Sequence, residues 1–375
     1  MLKSFRQSQI KAILLLGFLT AGFGSLAADK DTTHATHEAH DGATAHEAHH
    51  DEAEDFDVTG VIMHHIADSH EWHFFDYVNA EGEEVHGTLP LPVILWNDGK
   101  LDIFSSAKFH NPEHKYGEYI MYHDKIYLAN ENGELDFDEA HHPTNATPLD
   151  ISLTKNVLNM LLAFFICLFV FIKVGRFYKK HGAVAPKGLA KFVEPLVVFV
   201  RDEIALVNIG EKHHRKFVPY LLSLFFFIWI NNMLGLFPGG ANVSGNIAVT
   251  MVLAVLTLII TNINGNKHYW GHIFWMPGVP TPVKLILAPI ELVGIVTKPF
   301  ALMVRLFANM TAGHIIILSL ISLIFIFKSI WMAPASVALT LFIYVIKVLV
   351  ALLQAYIFAL LTALFIGQAV DEGHH

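Results

Sequence analysis

The chain has 375 residues, of which 53% are hydrophobic and 16% are charged, and its mean hydropathy is +0.45. This composition excludes an ordinary soluble globular protein, in which about 25% of residues are charged. The 25 Lys and Arg residues cluster at the ends of apolar runs and not along a groove-sized patch, so we expect no nucleic acid partner.

The net charge of −9 is distributed unevenly along the chain. Residues 1–27 carry three basic residues and no acidic ones, whereas residues 28–150 carry 5 Lys against 27 Asp and Glu. Residues 151–375 reverse the balance, with 17 Lys and Arg against 7 Asp and Glu. An acidic soluble segment is therefore joined to a basic, apolar membrane segment. The single Cys167 excludes a disulfide framework or a cysteine metal site within one chain.

Residues 1–28 have the pattern of a secretory signal peptide. Lys3, Arg6 and Lys11 precede an apolar run, and small residues close it at Ala27 and Ala28. An uncleaved membrane anchor is the alternative, although the apolar core is short for a membrane span. Both interpretations place residues 29–150 in the periplasm.

Residues 29–55 are predicted to form an acidic, disordered segment rich in histidine. Six histidines lie between His34 and His50, among many Ala, Asp and Glu residues. Such a tract would collect metal ions weakly. We favour a solvated leader, because the segment has almost nothing to bury.

Residues 56–145 are predicted to form a small β-rich domain. Asp98-Gly99 separates two β-favouring runs, a short polar turn separates residues 118–122 from 125–128, and Asn132-Gly133 is a further hairpin signal. Some aromatic residues near the start of this domain are candidates for a site: His64, His65, His70, Trp72 and His73. We favour surface or hairpin-packed histidines, because no ligand spacing requires a metal.

Residues 150–370 are predicted to form an all-α membrane domain of about five helices. The expected spans lie near residues 152–172, 217–237, 246–263, 284–327 and 335–368. An amphipathic stretch near residues 189–208 is expected to lie along the inner membrane surface. Basic residues that directly follow the first span place that flank, and eventually the C-terminus, in the cytoplasm.

The last two apolar segments are too long to cross a membrane upright. As helices each would measure on the order of 50 Å or more, against a hydrocarbon core of ~30 Å. They must tilt, bend or lie partly along the membrane. A strongly tilted hairpin that turns near residues 328–334 would shelter their polar residues from lipid.

Arg305 lies in the first of these two segments. A guanidinium cannot be discharged in a protein, and at membrane depth it costs at least ~2.5–3.5 kcal/mol. Glu291, Lys298 and Arg305 are spaced by seven residues and share one helix face with Asn309, whereas His314 points to the opposite side. This pattern indicates that Arg305 handles charge within a membrane.

The last segment carries Lys347 and Gln354, which are seven residues apart and share a face. Simpler structural roles remain open for several of these polar residues. Glu291 and Lys298 would lie near a membrane boundary. Asn309 would join two helices, and Lys347 would extend toward water.

Four segments together resemble subunit a of the F-type ATP synthases. They are Asn-Met-Leu-Gly-Leu-Phe-Pro at 232–238, Pro-Ile-Glu-Leu-Val-Gly-Ile-Val-Thr-Lys-Pro at 289–299, Arg-Leu-Phe-Ala-Asn-Met-Thr-Ala-Gly-His at 305–314 and Leu-Gln-Ala-Tyr-Ile-Phe at 353–358. The resemblance covers about residues 150–370. It does not cover the acidic exported domain, which typical family members lack.

The resemblance implies an ion-translocating stator subunit in a bacterial inner membrane. In that family two half-channels serve a rotating c-ring, and the essential arginine, here Arg305, deprotonates the ring carboxylate and prevents leakage. The resemblance assigns to the ion pathway Glu291, Asn309, His314, Lys347 and Gln354. Asn232 and Lys298 match other polar family positions. The chain would be no enzyme by itself and would need no cofactor. Its partners would be the c-ring, the b subunits of the peripheral stalk and the lipid bilayer.

The sequence departs from the family at the outer half-channel. Bacterial members usually pair Glu and His at the positions of His314 and Lys347, and many mitochondrial members pair His and Glu. The missing acid leaves the coupling ion and the role of Lys347 open.

Two further questions concern the chain as a whole. A metal-ion transporter with a His-rich collector is the alternative function, but it predicts clusters of ligands within the spans, where His314 stands alone. For the periplasmic domain, our hypothesis is that it caps the outer half-channel or contacts other stator subunits.

Overall fold

The computed structural model describes a large part of the chain: residues 66–78, 84–139, 141–182, 184–237, 239–276, 278–327 and 331–371. The predicted signal peptide and the histidine-rich segment lie outside the described residues, as do His64 and His65.

A small β domain precedes the membrane helices. Within the described residues its strands are β1 Glu71–Val78, β2 Glu84–Pro90, β3 Pro92–Asn97, β4 Lys100–Ser105, β5 Lys115–Tyr116, β6 Tyr119–Tyr122, β7 Lys125–Leu128 and β8 Leu149–Asp150. They form three antiparallel sheets, ordered β1-β2, β4-β3-β8 and β5-β6-β7. The core of the domain consists of Val93, Leu95, Phe104, Phe109, Tyr119 and Ile126. The predicted β-rich domain is thus confirmed.

Two of the predicted hairpins form because their turn residues tolerate positive φ. Asp98 and Gly99 have φ values of 43° and 83° and join β3 to β4. His123 and Asp124, at 48° and 61°, join β6 to β7 in the same way.

The third hairpin signal behaves differently. Gly133 lies in a turn with φ 83°, but no paired strands flank it in the described chain. The side chain of Asn130 accepts hydrogen bonds from the backbone N–H groups of Asn132 and Glu134, at 3.0 and 2.9 Å. The side-chain oxygen thus satisfies the turn locally, so the turn needs no flanking strands.

The described residues of the membrane domain form helices joined by short loops. Its helices are α1 Lys155–His181, α2 Leu189–Phe199, α3 Val207–Ile209, α4 His214–Gly235, α5 Ile247–Ile263, α6 Lys267–Phe274, α7 Thr281–Phe327 and α8 Met332–Val370. A π-helical segment, Val200–Leu206, joins α2 to α3. Four described helices are long and apolar enough to cross a membrane, or five if α5 and α6 form one bent span. The predicted fold class is confirmed.

Helix α6 was not predicted. The expected spans left residues 264–283 without an assigned helix, but after α5 the chain bends by 104° and forms a further short helix. Asn266 caps it, since its side-chain oxygen accepts a hydrogen bond from the Tyr269 backbone N–H at 2.8 Å.

Helices α7 and α8 carry the polar residues of the membrane domain. They contain 47 and 39 residues, which corresponds to lengths of about 70 and 58 Å. Helix α7 continues through Pro289 and Pro299. The two helices pack against each other, and α8 also packs against α4. The strong tilt remains a prediction.

Candidate functional site

Arg305 lies on the outer surface of α7. Its side chain and that of Asn309 are exposed, whereas Leu306 and Met310, on the other side of the helix, are 0% and 2% exposed. Among the described residues, none accepts a hydrogen bond or forms an ion pair with the Arg305 guanidinium. The cation is therefore presented on an exposed and largely apolar face of α7.

Asn309 connects the exposed face of α7 to the buried face of α8. Its Nδ2 donates a hydrogen bond to Oε1 of Gln354 at 2.8 Å, and Gln354 is 2% exposed. The bond lies one helical turn from Arg305. It fixes the two helices to each other beside the guanidinium.

Lys347 crosses from α8 to the backbone of α7. Its Nζ donates to the backbone oxygens of Asn309 and Met310, at 3.2 and 3.4 Å, and the residue is 6% exposed. Gly313 makes this approach possible, because a Cβ at that position would collide with the Lys347 side chain. Lys347 therefore lies inside the helix pair.

His314 lies on the side of α7 opposite to Arg305. It is 7% exposed, and a Cβ placed on Gly235 of α4 would lie 3.8 Å from its Nε2 atom. One turn earlier, the Thr311 hydroxyl donates to the backbone oxygen of Gly245 at 3.4 Å. His314 is thus enclosed between α7 and the end of α4.

Further buried polar groups lie where α4 ends and α5 begins. The Ser244 hydroxyl donates to Oδ1 of Asn232 at 2.6 Å. Nδ2 of Asn232 and both polar side-chain atoms of Asn242 have no hydrogen-bond partner among the described residues. Buried amides normally form hydrogen bonds with protein or water, so the amides in this region are suited to line a water-filled space. The sequence pattern singled out Asn232 but missed Asn242 and Ser244.

A second polar region lies along the N-terminal half of α7. Lys298 is exposed, and its Nζ donates to Oε1 of Gln368 on α8 at 3.1 Å. Glu291 is half-buried, and its carboxylate interacts electrostatically with the Tyr269 side chain on α6. A cleft here is lined by residues of α5 to α8 that include Asn262, Tyr269, Lys298 and Gln368. Sequence reasoning missed Tyr269 and Gln368, which become neighbours of α7 only through folding.

The polar groups of the membrane domain thus form two separate regions along α7. Lys298 and His314 lie seven residues before and nine residues after Arg305, or about 10 and 14 Å along the helix axis. Arg305 and the Asn309–Gln354 bond lie between them. A fixed cation between two polar regions would attract a carboxylate that passes along the exposed face. The described residues contain no group of three potential metal ligands.

The chain matches two family models. Residues 157–367 match the family ATP synthase A chain, and residues 61–151 match a domain of unknown function, DUF8433. The chain is 46% identical to ATP synthase subunit a of Chloroherpeton thalassium over 260 residues, covering 67% of this chain and 78% of that protein. It is 40% identical to ATP synthase subunit a of Anaeromyxobacter sp. over 345 residues, covering 90% of this chain and 76% of that protein.

Proposed function

The chain belongs to the ATP synthase A chain family, whose members are non-catalytic, proton-translocating stator subunits, and from this premise we propose that Arg305 is its gating residue. The comparisons give no support to the metal-transporter alternative. The observation that carries the proposal is the exposed guanidinium without a partner among the described residues, on an otherwise apolar helix face.

Arg305 acts on a carboxylate of the rotating c-ring. A guanidinium within about 4–6 Å of a carboxyl group lowers its pKa by about 1–3 units, so the carboxyl group gives up its proton as it arrives. Because the guanidinium keeps its charge, it also repels protons that would pass directly between the two polar regions. The Asn309–Gln354 bond holds α7 and α8 together at this point.

The two polar regions act as half-channels on opposite sides of the membrane. His314, Lys347 and Asn232 line the outer one, where the enclosed imidazole of His314 can bind and release a proton. Glu291 and Lys298 line the inner one, near the cleft between α5 and α8.

The chain spans the bacterial inner membrane several times, with residues 29–150 in the periplasm and the C-terminus in the cytoplasm. Lys179, Lys180 and His181 in the last turn of α1 support this orientation, because basic flanks remain on the cytoplasmic side. The exposed face of α7 meets the c-ring. The b subunits of the peripheral stalk hold the chain in place from its remaining surface.

Disulfide cross-linking tests which face of α7 meets the ring. We expect Ala308→Cys, at an exposed position three residues from Arg305, to cross-link to cysteines placed beside the ring carboxylate. Leu306→Cys is the matched control, because that side chain is 0% exposed and points into the helix bundle. The native Cys167 is 3% exposed and does not interfere. Cross-linking at position 306 without cross-linking at 308 would contradict the proposed face.

A further inference from the structure

A buried group of charged residues lies where the β domain meets the start of α1. Asp68 accepts hydrogen bonds from the Thr154 hydroxyl at 3.0 Å and from the Asn156 backbone N–H at 3.2 Å. The Lys155 backbone N–H donates to the carbonyl of Ser69 at 3.0 Å. Thr154, Lys155 and Asn156 are all less than a tenth exposed. The β domain is thus joined to α1 through polar groups that water scarcely reaches.

His70 occupies this junction with its two ring nitrogens in different surroundings. Its Nε2 lies 2.7 Å from Oδ2 of Asp150, whose side chain is 23% exposed. Its Nδ1 is enclosed and has no hydrogen-bond partner among the described residues, and the residue is 4% exposed. An imidazole binds a proton at one nitrogen and releases one from the other. One nitrogen therefore meets a carboxylate in contact with water, while the other faces the interior.

The surrounding charges favour the protonated ring. Burial alone lowers the pKa of His70, but the hydrogen bond and charge of Asp150, with the charges of Asp68 and Asp124, outweigh burial and raise it. Burial alone raises the pKa of Asp150, but the hydrogen bond and charge of His70 lower it. The charged groups at the junction come from β8, from the residues before β1, from the β6–β7 turn and, as Lys155, from α1. The Asp150 carboxylate in contact with the ring, with the charges of Asp68 and Asp124, thus favours proton binding at His70.

The β1–β2 hairpin also contacts the loop that leads into the outer polar region. The Trp72 Nε1–H donates to the carbonyl of Gly239, between α4 and α5, at 2.6 Å. A Cβ on Gly239 would lie 3.2 Å from the His73 carbonyl and 3.3 Å from the Phe74 ring. The β domain therefore covers the loop that carries Asn242 and Ser244.

Buried polar atoms continue from the junction toward His314. Asn156 Oδ1 and Asn159 Nδ2, in the first turns of α1, have no hydrogen-bond partner among the described residues. Helix α1 packs against the Val243–Gly245 turn. That turn bonds to Asn232 through Ser244 and to Thr311 through Gly245. Because buried amides are normally satisfied by water where protein offers no partner, these groups are suited to line a hydrated route.

From these contacts we infer that the β domain is a proton-collecting mouth of the outer half-channel, in which the His70–Asp150 pair takes up protons and passes them toward His314. The inference rests on the proposed function. A proton that arrives by way of Asp150 forms an N–H bond at Nε2, while the Nδ1–H bond breaks and that proton is taken up by a water molecule on the inner side. One N–H bond forms and one breaks, and rotation of the ring then restores the tautomer that accepts the next proton from Asp150.

The test is ATP synthesis by the whole complex in liposomes oriented with the β domain inside. The luminal pH is varied at a constant pH difference and a constant membrane potential. For His70→Gln we expect the luminal pH at which ATP synthesis reaches half of its maximal rate to fall by about one unit. That shift corresponds to about a tenfold higher proton concentration. At acidic luminal pH the rate equals that of the native complex, because free protons then suffice.

Three further variants separate proton uptake from a structural role. Asp150→Asn preserves the shape of the pair, and we expect a shift in the same direction. His110→Gln breaks a 2.5 Å pair with Glu71 at a histidine that is 48% exposed, and we expect no shift. Trp72→Phe removes the hydrogen bond to Gly239 without removing a titratable group, so we expect the luminal pH of half-maximal ATP synthesis to stay unchanged.

The outcomes distinguish this inference from the proposed function. If His70→Gln and Asp150→Asn lower the rate of ATP synthesis by the same factor at every luminal pH, the junction is purely structural and the inference is overturned. An unshifted midpoint in an active His70→Gln complex also overturns it but leaves the proposed function intact. A native complex that makes no ATP under any proton gradient contradicts the proposed function itself.

Discussion

Replacing Arg305 with Ala is expected to abolish ATP-driven proton pumping into inverted membrane vesicles. The variant loses the cation on the exposed face of α7 that, in the proposed function, lowers the pKa of the passing ring carboxylate. The carboxyl group then keeps its proton, and the two polar regions are no longer separated by a fixed charge. The measurement is acidification of the vesicle lumen after ATP addition, with the subunit level checked by immunoblot.

A second arginine supplies the control for this experiment. Arg176 is exposed near the C-terminal end of α1, so Arg176→Ala removes the same charge away from the face of α7 that we propose meets the ring, and we expect normal pumping. Hydrolysis of ATP by the peripheral head should survive in both variants. If Arg305→Ala vesicles acidify as well as native ones, Arg305 is structural and the gating proposal fails.

Replacing Gly367 with Ala is expected to destabilise the membrane domain. A Cβ at this position of α8 would collide with the backbone carbonyl oxygen of Asn208 and lie 3.0 Å from its carbonyl carbon. A backbone atom cannot rotate away as a flexible side chain can, so α8 must separate from α3. Such overpacking lowers the free energy of unfolding by about 1–3 kcal/mol. The measurement is the thermal denaturation midpoint of the detergent-extracted complex.

Gly294 provides a matched substitution in the neighbouring helix. A Cβ there would meet no atom within 4 Å. Gly294→Ala should therefore leave the midpoint unchanged or raise it, because Ala is favoured over Gly inside a helix by about 0.5–1 kcal/mol. Equal midpoints for the two variants would show that the contact between α8 and α3 contributes little to stability.

Most of the fold was predictable because its signals are local. Long apolar runs predicted the membrane helices, and pairs of turn residues such as Asp98-Gly99 predicted hairpins. Helix α6 was missed because its eight residues are too few for apolar periodicity to distinguish them from a loop. Asn132-Gly133 misled because a turn signal does not reveal whether strands or a single Asn side chain will satisfy the backbone.

The sequence by itself determined which polar residues share a face of α7 or α8, because the helix repeat of 3.6 residues fixes that relation. The same repeat places Arg305 and His314 on opposite sides of α7. Only the tertiary structure decided what those faces meet: Lys347 against the α7 backbone beside Gly313, and His70 against Asp150. The members of each pair are tens of residues apart in the chain. Periodicity specifies direction within one element, whereas contacts between elements depend on packing, which no local pattern encodes.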